Sequence, residues 1–547
     1  MYLIGIDVGT GSARAGVFDA TGAMLGTAKA AVTIWRAAGA MVEQSSDQIW
    51  DAVCTAVRGA VAAAGVDPAQ VAGIGIDATC SLVVLGPGGA SLPVGPSDAP
   101  QRNIIVWMDH RAVAQAERIN ATGHAVLRYV GGVISPEMQT PKLLWLRENR
   151  PEVFAAVWQF FDLADYLTWR ATGSLARSTC TLTCKWTYLA HENRWDPTYF
   201  KAIGLGVLAD EGFARIGTEV AEPGTRLGAG LTPAAALDLG LAPGTPVAAG
   251  LIDAHAGGIG TVGAMGDDPV ANMAYVFGTS SCTMTSTRAP VFVPGVWGPY
   301  RSAMVPDLWL NEGGQSAAGA AIDHLLTLHP AASEAAGLAA KAGLSLPVWL
   351  ADRAAGDSAA GDSASGDSAS GASDAVILAG GVHVVPEFLG NRAPFADPHA
   401  RAIIAGLSME TSLDSLISLY IAGLCGIGYG LRQIILTQAA HGAPVERLLI
   451  SGGAGRHDLV RQILADATGL PVVATEADEP VLLGSAILGA VAGGVYADVP
   501  CAMAAMSRAV QVFTPAGGPI KRRHAARFAA FESLQATARM VQGLSAG

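Results

Sequence analysis

Two short turns of the same make, set far apart in the chain, constrain its fold more than any other feature. The first, Gly9-Thr10-Gly11-Ser12, follows an apolar run at 2–8 that carries Asp7, and precedes a second run ending at Asp19. The second, Gly278-Thr279-Ser280-Ser281, also joins two apolar runs, 271–277 and 282–285. Each reads as a hairpin turn whose backbone N–H groups can cradle a phosphate, with glycines allowing close approach. Thr10, Gly11, Ser12, Gly278 and Thr279 are therefore candidate phosphate contacts. A third element, Gly452-Gly453-Ala454, lies between a strand at 447–450 and a helix at 457–468, where an adenine could rest on bare backbone. The chain lacks G-x-x-x-x-G-K-[ST] and an opening G-x-G-x-x-G, so neither a Walker P-loop nor a Rossmann dehydrogenase is expected.

The three turns divide the chain. Its 547 residues exceed what one core holds, and two halves of similar size are expected, 1–260 and 261–547. The first half opens β-β-β-α-β, its helix N-capped around Ser45-Ser46-Asp47 and closed by Gly65. Further helices are expected at 109–122, 141–148, 162–171, 313–326, 412–440 and 521–542, and a strand at 247–251. Residues 354–374 repeat a Gly-Asp-Ser pentad with almost no apolar bulk, which reads as a solvated surface insert.

Charge and cysteine usage narrow the function classes. A formal net charge of −12 disfavours non-specific nucleic-acid binding. The run 480–496 carries no charge but contains Gly484, Gly489, Gly493 and Gly494, so a buried helix is expected rather than a membrane span. Seven cysteines, an odd number without a CxxC pair, suit a reducing cytoplasm. Cys180 and Cys184 are four residues apart with no His or Cys pair nearby, and read as structural thiols. The N-terminus has no basic region before its apolar run, so no signal peptide is expected.

One further segment carries chemistry. In Gly250-Leu251-Ile252-Asp253-Ala254-His255, an Asp at the mouth of an apolar strand reads equally as a general base toward a hydroxyl or as a helix N-cap. His255 has no partner ligands and is expected to pack or hydrogen-bond.

Taken together, DVGTGSARAGVFD, GLIDAHAG, FGTSSC, NEGGQSAAGAAIDHL, FLGNRAPFADP and ISGGAGRHDLVRQILADATGLPV stand in the order seen in the FGGY carbohydrate kinases. The chain resembles that family over roughly residues 2–545, apart from the pentad insert. The resemblance implies an α/β fold of two actin-like (ribonuclease H-like) ATPase domains flanking a cleft, with ATP and Mg²⁺ as cofactors. TCSLV within Ala78–Val83 and TCKW around Lys185 resemble the pentulose kinase branch that acts on D-ribulose. The resemblance implies that Asp253 is the catalytic base and that Asp7 supports Mg²⁺. It implies sugar contacts from Thr79, Cys80, Ser81, Asp109 (in a W-x-D-x-R motif with Trp107), Lys185 and Glu312. It implies an adenosine site of Gly319, Asp323, Gly453, Ala454 and His457. His457 stands where the family often has Asn, and Asp323 where some members have Gln. Lys185 and Glu312 could instead form a structural ion pair, Trp107 could line the core, and Cys80 could be a small apolar filler. Expected partners are a small sugar and ATP, with no nucleic acid and no membrane; a homodimer is left open. Ribitol, L-ribulose and a non-sugar ATPase switch are the alternatives.

Overall fold

The computed structural model describes residues 1–266, 268–361 and 373–545. Its first layer is a five-stranded sheet. Strands β1 (Tyr2–Val8), β2 (Ser12–Asp19) and β3 (Met24–Ala31) form the antiparallel meander, and helix α1 (Ser46–Ala64) returns the chain to β4 (Val71–Ala78), parallel to β1. Ser45 caps α1 by accepting from the Gln48 N–H, and Gly65 closes it with φ 64°, the left-handed turn that favours glycine. Two short strands, Trp35–Ala37 and Met41–Gln44, interrupt the expected β-β-β-α-β order. They belong to a second sheet with Leu82–Leu85, Ile104–Ile105 and Gln159–Asp162.

Helix α2 (Thr179–Lys185) precedes β5 (Leu251–Ile252), which completes the first sheet in the order β5-β4-β1-β2-β3. Helix α3 (Asp253–Val262) starts directly after β5.

The second half builds a seven-stranded sheet. Its strands are β6 (Asn272–Phe277), β7 (Ser281–Thr287), β8 (Trp297–Arg301), β9 (Trp309–Gln315), β10 (Arg447–Ser451), β11 (Val472–Thr475) and β12 (Ala509–Phe513), in the order β8-β9-β7-β6-β10-β11-β12. Its helices include α4 (Gly319–Thr327), α5 (Leu346–Gly361), α6 (Leu413–Ala440), α7 (Asp458–Thr468) and α8 (Pro480–Ala492). The helix expected over 313–326 begins only at Gly319, because residues 309–315 pair with β7 as a strand. The helix expected from 109 starts at Val113. Within the insert, α5 runs on to Gly361 and Ala354 is fully buried, which corrects the expectation of a wholly solvated loop. Residues 362–372 of the insert lie outside the described residues.

Helix α8 is the uncharged run, and its glycines explain how it packs. It lies on β1, β4 and α3, backbone to backbone. A Cβ added to Gly75 would come within 1.7 Å of the Ser485 carbonyl oxygen, and one on Gly484 within 1.8 Å of that of Ala256. Helix α8 therefore ties the second half of the chain onto the first sheet. The longest apolar helix, α6, has 83% of its most apolar window buried inside the molecule.

Candidate active site

Parallel pairing brings three carboxylates to one end of the first sheet. Asp7 on β1 faces Asp77 on β4, Asp77 pairs with Leu251 on β5, and α3 opens with Asp253 two residues later. Asp77 was not singled out from sequence; its strand was legible, but its neighbour was not. Burial pushes the Asp77 carboxyl well above the usual carboxylate range, and the closeness of Asp7 and Asp253 adds to this. Ser485 donates to Asp77 Oδ2 at 2.6 Å, while Oδ1 is buried with no hydrogen-bond partner. Arg14 donates from Nε to Asp7 Oδ2 at 2.8 Å and pairs with Glu479 at 2.6 Å. An orphaned carboxylate oxygen beside a second carboxylate is a donor set that fits a hard divalent cation such as Mg²⁺.

Asp253 is not the N-cap of α3; that position is Ile252, and Asp253 is the first helical residue. Its Oδ1 accepts from the Ala254 N–H at 2.8 Å. Burial, then the charge of Asp7, pushes its carboxyl up to about 6. It is only half-buried by surface area, so solvent and ligand can reach it.

Near Asp253 lies a buried cluster of charged groups drawn from both halves. The Lys185 ammonium forms no hydrogen bond or ion pair among the described residues and sits 5.4 Å from the Trp297 ring centre. No ion pair closes between Lys185 and Glu312, so the structural-pair reading does not describe this geometry. Burial works against Lys185 carrying its charge; Cys80 and Glu312 nevertheless raise it well above the usual ammonium value. Burial pushes the Cys80 thiol up to about 12, so at neutral pH Glu312 is the anion that matters. Burial also opposes the Glu312 charge, but a hydrogen bond from His255 and the cations Lys185 and Arg392 bring it to about 2.

The remaining predicted sugar contacts divide. Thr79 and Ser81 are buried with their hydroxyls 3.3 Å apart, and Ser81 Oγ accepts from the Trp107 N–H. Trp107 Nε1 donates to Thr10 Oγ1 at 2.9 Å, which ties the first hairpin to the segment carrying Asp109. Asp109 is fully buried and both its oxygens are committed: to the Arg111 guanidinium at 2.7 and 2.9 Å, and to the Val42 N–H at 2.6 Å. It braces the wall, and no lone pair is left that is aimed at a ligand. Arg392, within FLGNRAPFADP, joins this cluster from the second half, which its motif alone does not reveal. It stacks on Trp297 at 4.9 Å and reaches Cys282 Sγ at 3.5 Å.

The two Gly-rich turns form hairpins, as their sequence suggests. Gly9 N–H donates to the Ser12 carbonyl, and Gly278 N–H to that of Ser280, closing both hairpins at 3.0 Å. Thr279 is exposed, as is Gly11, while Thr10 and Ser12 are half-buried. The Gly319 N–H donates to the Gly278 carbonyl at 2.9 Å, and a Cβ on Gly319 would meet that oxygen at 2.7 Å. A cavity of about 290 Å³ is lined by Gly319, Asp323, Gly453, Ala454 and His457, with Phe277, Ile322, Tyr420 and Leu424 forming apolar walls. Partial burial raises the Asp323 carboxyl above its ordinary value. Both nitrogens of the His457 ring are already used: Nδ1 accepts from the Leu459 N–H and Nε2 lies 3.1 Å from Asp352 Oδ1. His457 therefore caps α7 and ties it to α5, and it offers the cavity its ring rather than a free nitrogen.

A third cluster adds a neighbour that the spacing of the thiols did not show. Cys180 and Cys184, on one face of α2, meet His255 from α3, so the partner missing in sequence comes from 75 residues away. Cys180 Sγ lies 3.1 Å from His255 Nδ1, and His255 Nε2 lies 3.3 Å from Glu312 Oε2.

Comparison with known proteins bears on this geometry. Residues 2–260 match the N-terminal domain of the FGGY family of carbohydrate kinases, and residues 273–493 match its C-terminal domain. A human FGGY carbohydrate kinase domain-containing protein is 45% identical over 524 residues, spanning 94% of this chain and 92% of the relative. A D-ribulokinase of Saccharomyces cerevisiae is 39% identical over 521 residues, spanning 90% of this chain and 72% of the relative. Among solved structures, a xylulose kinase from Rhodospirillum rubrum superposes with a TM-score of 0.79 at 21% identity, covering 99% of each chain, a likeness of fold.

Proposed function

The chain belongs to the FGGY family of carbohydrate kinases, and from that premise we propose that it transfers the γ-phosphoryl group of ATP to the terminal hydroxyl of a ketopentose, D-ribulose before others. The products would be D-ribulose 5-phosphate and ADP. The observation that carries this reading is the Lys185 ammonium, which has no hydrogen bond or ion pair among the described residues, lies over the Trp297 ring, and is held charged near Glu312 and the raised Asp253 carboxyl. A cation and an anion kept apart beside Asp253 suit a polyol, whose hydroxyls accept from one and donate to the other. The TCSLV string and the 39% identity to a D-ribulokinase support D-ribulose in particular.

In this reading residues 1–260 supply most of the sugar site and residues 261–547 most of the nucleotide site. Glu312 and Arg392 cross over to the sugar. Asp253 accepts the proton of the attacking hydroxyl as the oxygen closes on phosphorus. The N–H groups and hydroxyls of Thr10, Gly11, Ser12, Gly278 and Thr279 take up charge on the phosphate oxygens. Gly319, Gly453 and Ala454 carry the adenosine. Asp7 and Asp77 would hold Mg²⁺, which when bound neutralises the phosphate oxygens. Phosphoryl transfer asks mainly for such placement and charge balance.

Coupled ADP release across D-ribulose, L-ribulose, xylulose and ribitol tests the proposal. D-ribulose should give the highest kcat/KM. A value for ribitol as high would overturn the substrate, and ATP turnover indifferent to every sugar would point to an ATPase switch.

A further inference from the structure

Cys180, Cys184 and His255 place their Sγ, Sγ and ring nitrogen atoms within 4.8 Å of one another, all three residues buried. We propose that they form a metal site for a soft d¹⁰ cation, Zn²⁺ being the one to test, that clamps α2 to α3.

Four observations converge. The i, i+4 spacing on α2 sets both sulfurs on one face, and α3 delivers the imidazole from the first turn after Asp253. His255 turns Nδ1 toward Cys180 and Nε2 toward Glu312. A histidine that ligates through one nitrogen and donates from the other to a carboxylate is the usual outer-shell arrangement of zinc sites. Two thiolates balance a divalent cation, and their protons leave to solvent, so the buried cluster gains no net charge. Zinc–sulfur and zinc–nitrogen distances of about 2.3 and 2.0 Å put tetrahedral donors roughly 3.5–3.8 Å apart, so the three need draw together only by about an ångström, and thiolate–imidazole sets favour zinc over harder ions. Three protein donors leave the fourth position to a small ligand such as water.

The clamp would have a consequence for the neighbouring charged groups. Lys185 follows Cys184 directly, Asp253 precedes His255 by two residues, and Glu312 is held by His255. One ion would thus fix three groups of the sugar site relative to one another. That consequence rests on the proposed kinase reading; the metal site itself does not.

The test uses the full chain in a Cys501→Ser background, which removes the exposed thiol. Protein purified under reducing conditions is assayed for metal, then stripped and titrated with Co²⁺. About one zinc per chain and a thiolate-to-cobalt charge-transfer band are expected. Cys184→Ser and Cys180→Ser should each abolish the band, and His255→Asn should shift it. A stripped wild-type chain that remains folded by circular dichroism yet gives no band would overturn the site, as would a band that both serine variants retain. Sugar phosphorylation, measured separately, reports on the kinase reading: zinc bound without any sugar turnover would sink that reading and leave the site standing.

Discussion

Asp7 and Asp77 face each other across two parallel strands, and only Asp7 has a cation to hold it. Asp77 keeps one oxygen unsatisfied in a fully buried position. This is the arrangement a divalent cation would complete. In Asp77→Asn, the buried repulsion disappears while the acceptor for Ser485 remains. The metal-free variant should therefore be more stable than wild type at neutral pH, where holding this raised carboxyl in the fold costs most. Thermal melts with and without Mg²⁺ check this: Mg²⁺ should raise the wild-type midpoint and leave that of the variant unmoved. Equal Mg²⁺ shifts in both proteins would remove Asp77 from the cation site.

Asp253 carries the pH dependence. Its carboxyl is pushed up to about 6 by burial and by Asp7, and a base works only when deprotonated. kcat/KM for the sugar should rise with pH through about 6 and level off above it. Asp253→Asn should lose about 10²–10⁴-fold in kcat, with the nucleotide affinity retained by calorimetry. Sugar phosphorylation near the wild-type rate in that variant would end the assignment.

Lys185 and Glu312 should act on binding more than on turnover. Removing a charged hydrogen-bond partner costs about 1.5–3 kcal/mol, so Lys185→Met should raise the sugar KM roughly 10–100-fold, with the KM for ATP unchanged. Glu312→Gln should do likewise by a smaller factor. Because the two share one ligand, the double variant should fall short of the product of the single effects. Fully multiplicative losses would mean that they serve separate sites.

What the sequence revealed follows the range of the forces involved. The two hairpins, the capped helix ending at Gly65 and the Gly-Gly-Ala turn are local, and each could be read from a few neighbouring residues. Asp77 could not, because its role comes from parallel pairing with β1 and β5, a contact between distant segments. The same holds for His255 and the α2 thiols, and for Arg392, whose motif was visible but whose destination was not. Residues 313–318 fall inside the helix expected over 313–326, yet pairing with β7, a contact between distant segments, makes strand as far as Gln315. Asp109 was legible as important, yet its burial with Arg111 shows that it serves the wall.

The close packing of the uncharged helix on β4 yields the last prediction. In a soluble helix, glycine costs about 0.5–1 kcal/mol against alanine, so a glycine-rich helix at a core crossing needs a reason. The reason is distance: α8 lies so close to β4 that a Cβ on Gly75 would sit 1.7 Å from the Ser485 carbonyl oxygen, a backbone atom that cannot rotate away. Gly75→Ala must therefore push α8 off the sheet, and with it the Ser485 hydroxyl that donates to Asp77. Overpacking of this kind costs about 1–3 kcal/mol where side chains can yield, and more is expected here. Gly337, in the exposed helix Ala332–Lys341, is the control, since nothing lies within 4 Å of its added Cβ. Gly337→Ala should stabilise by about 0.5–1 kcal/mol. Denaturant melts of the two variants should move in opposite directions, and Gly75→Ala should also weaken the Mg²⁺ response. If Gly75→Ala melted like wild type, α8 would not pack on β4 as closely as described.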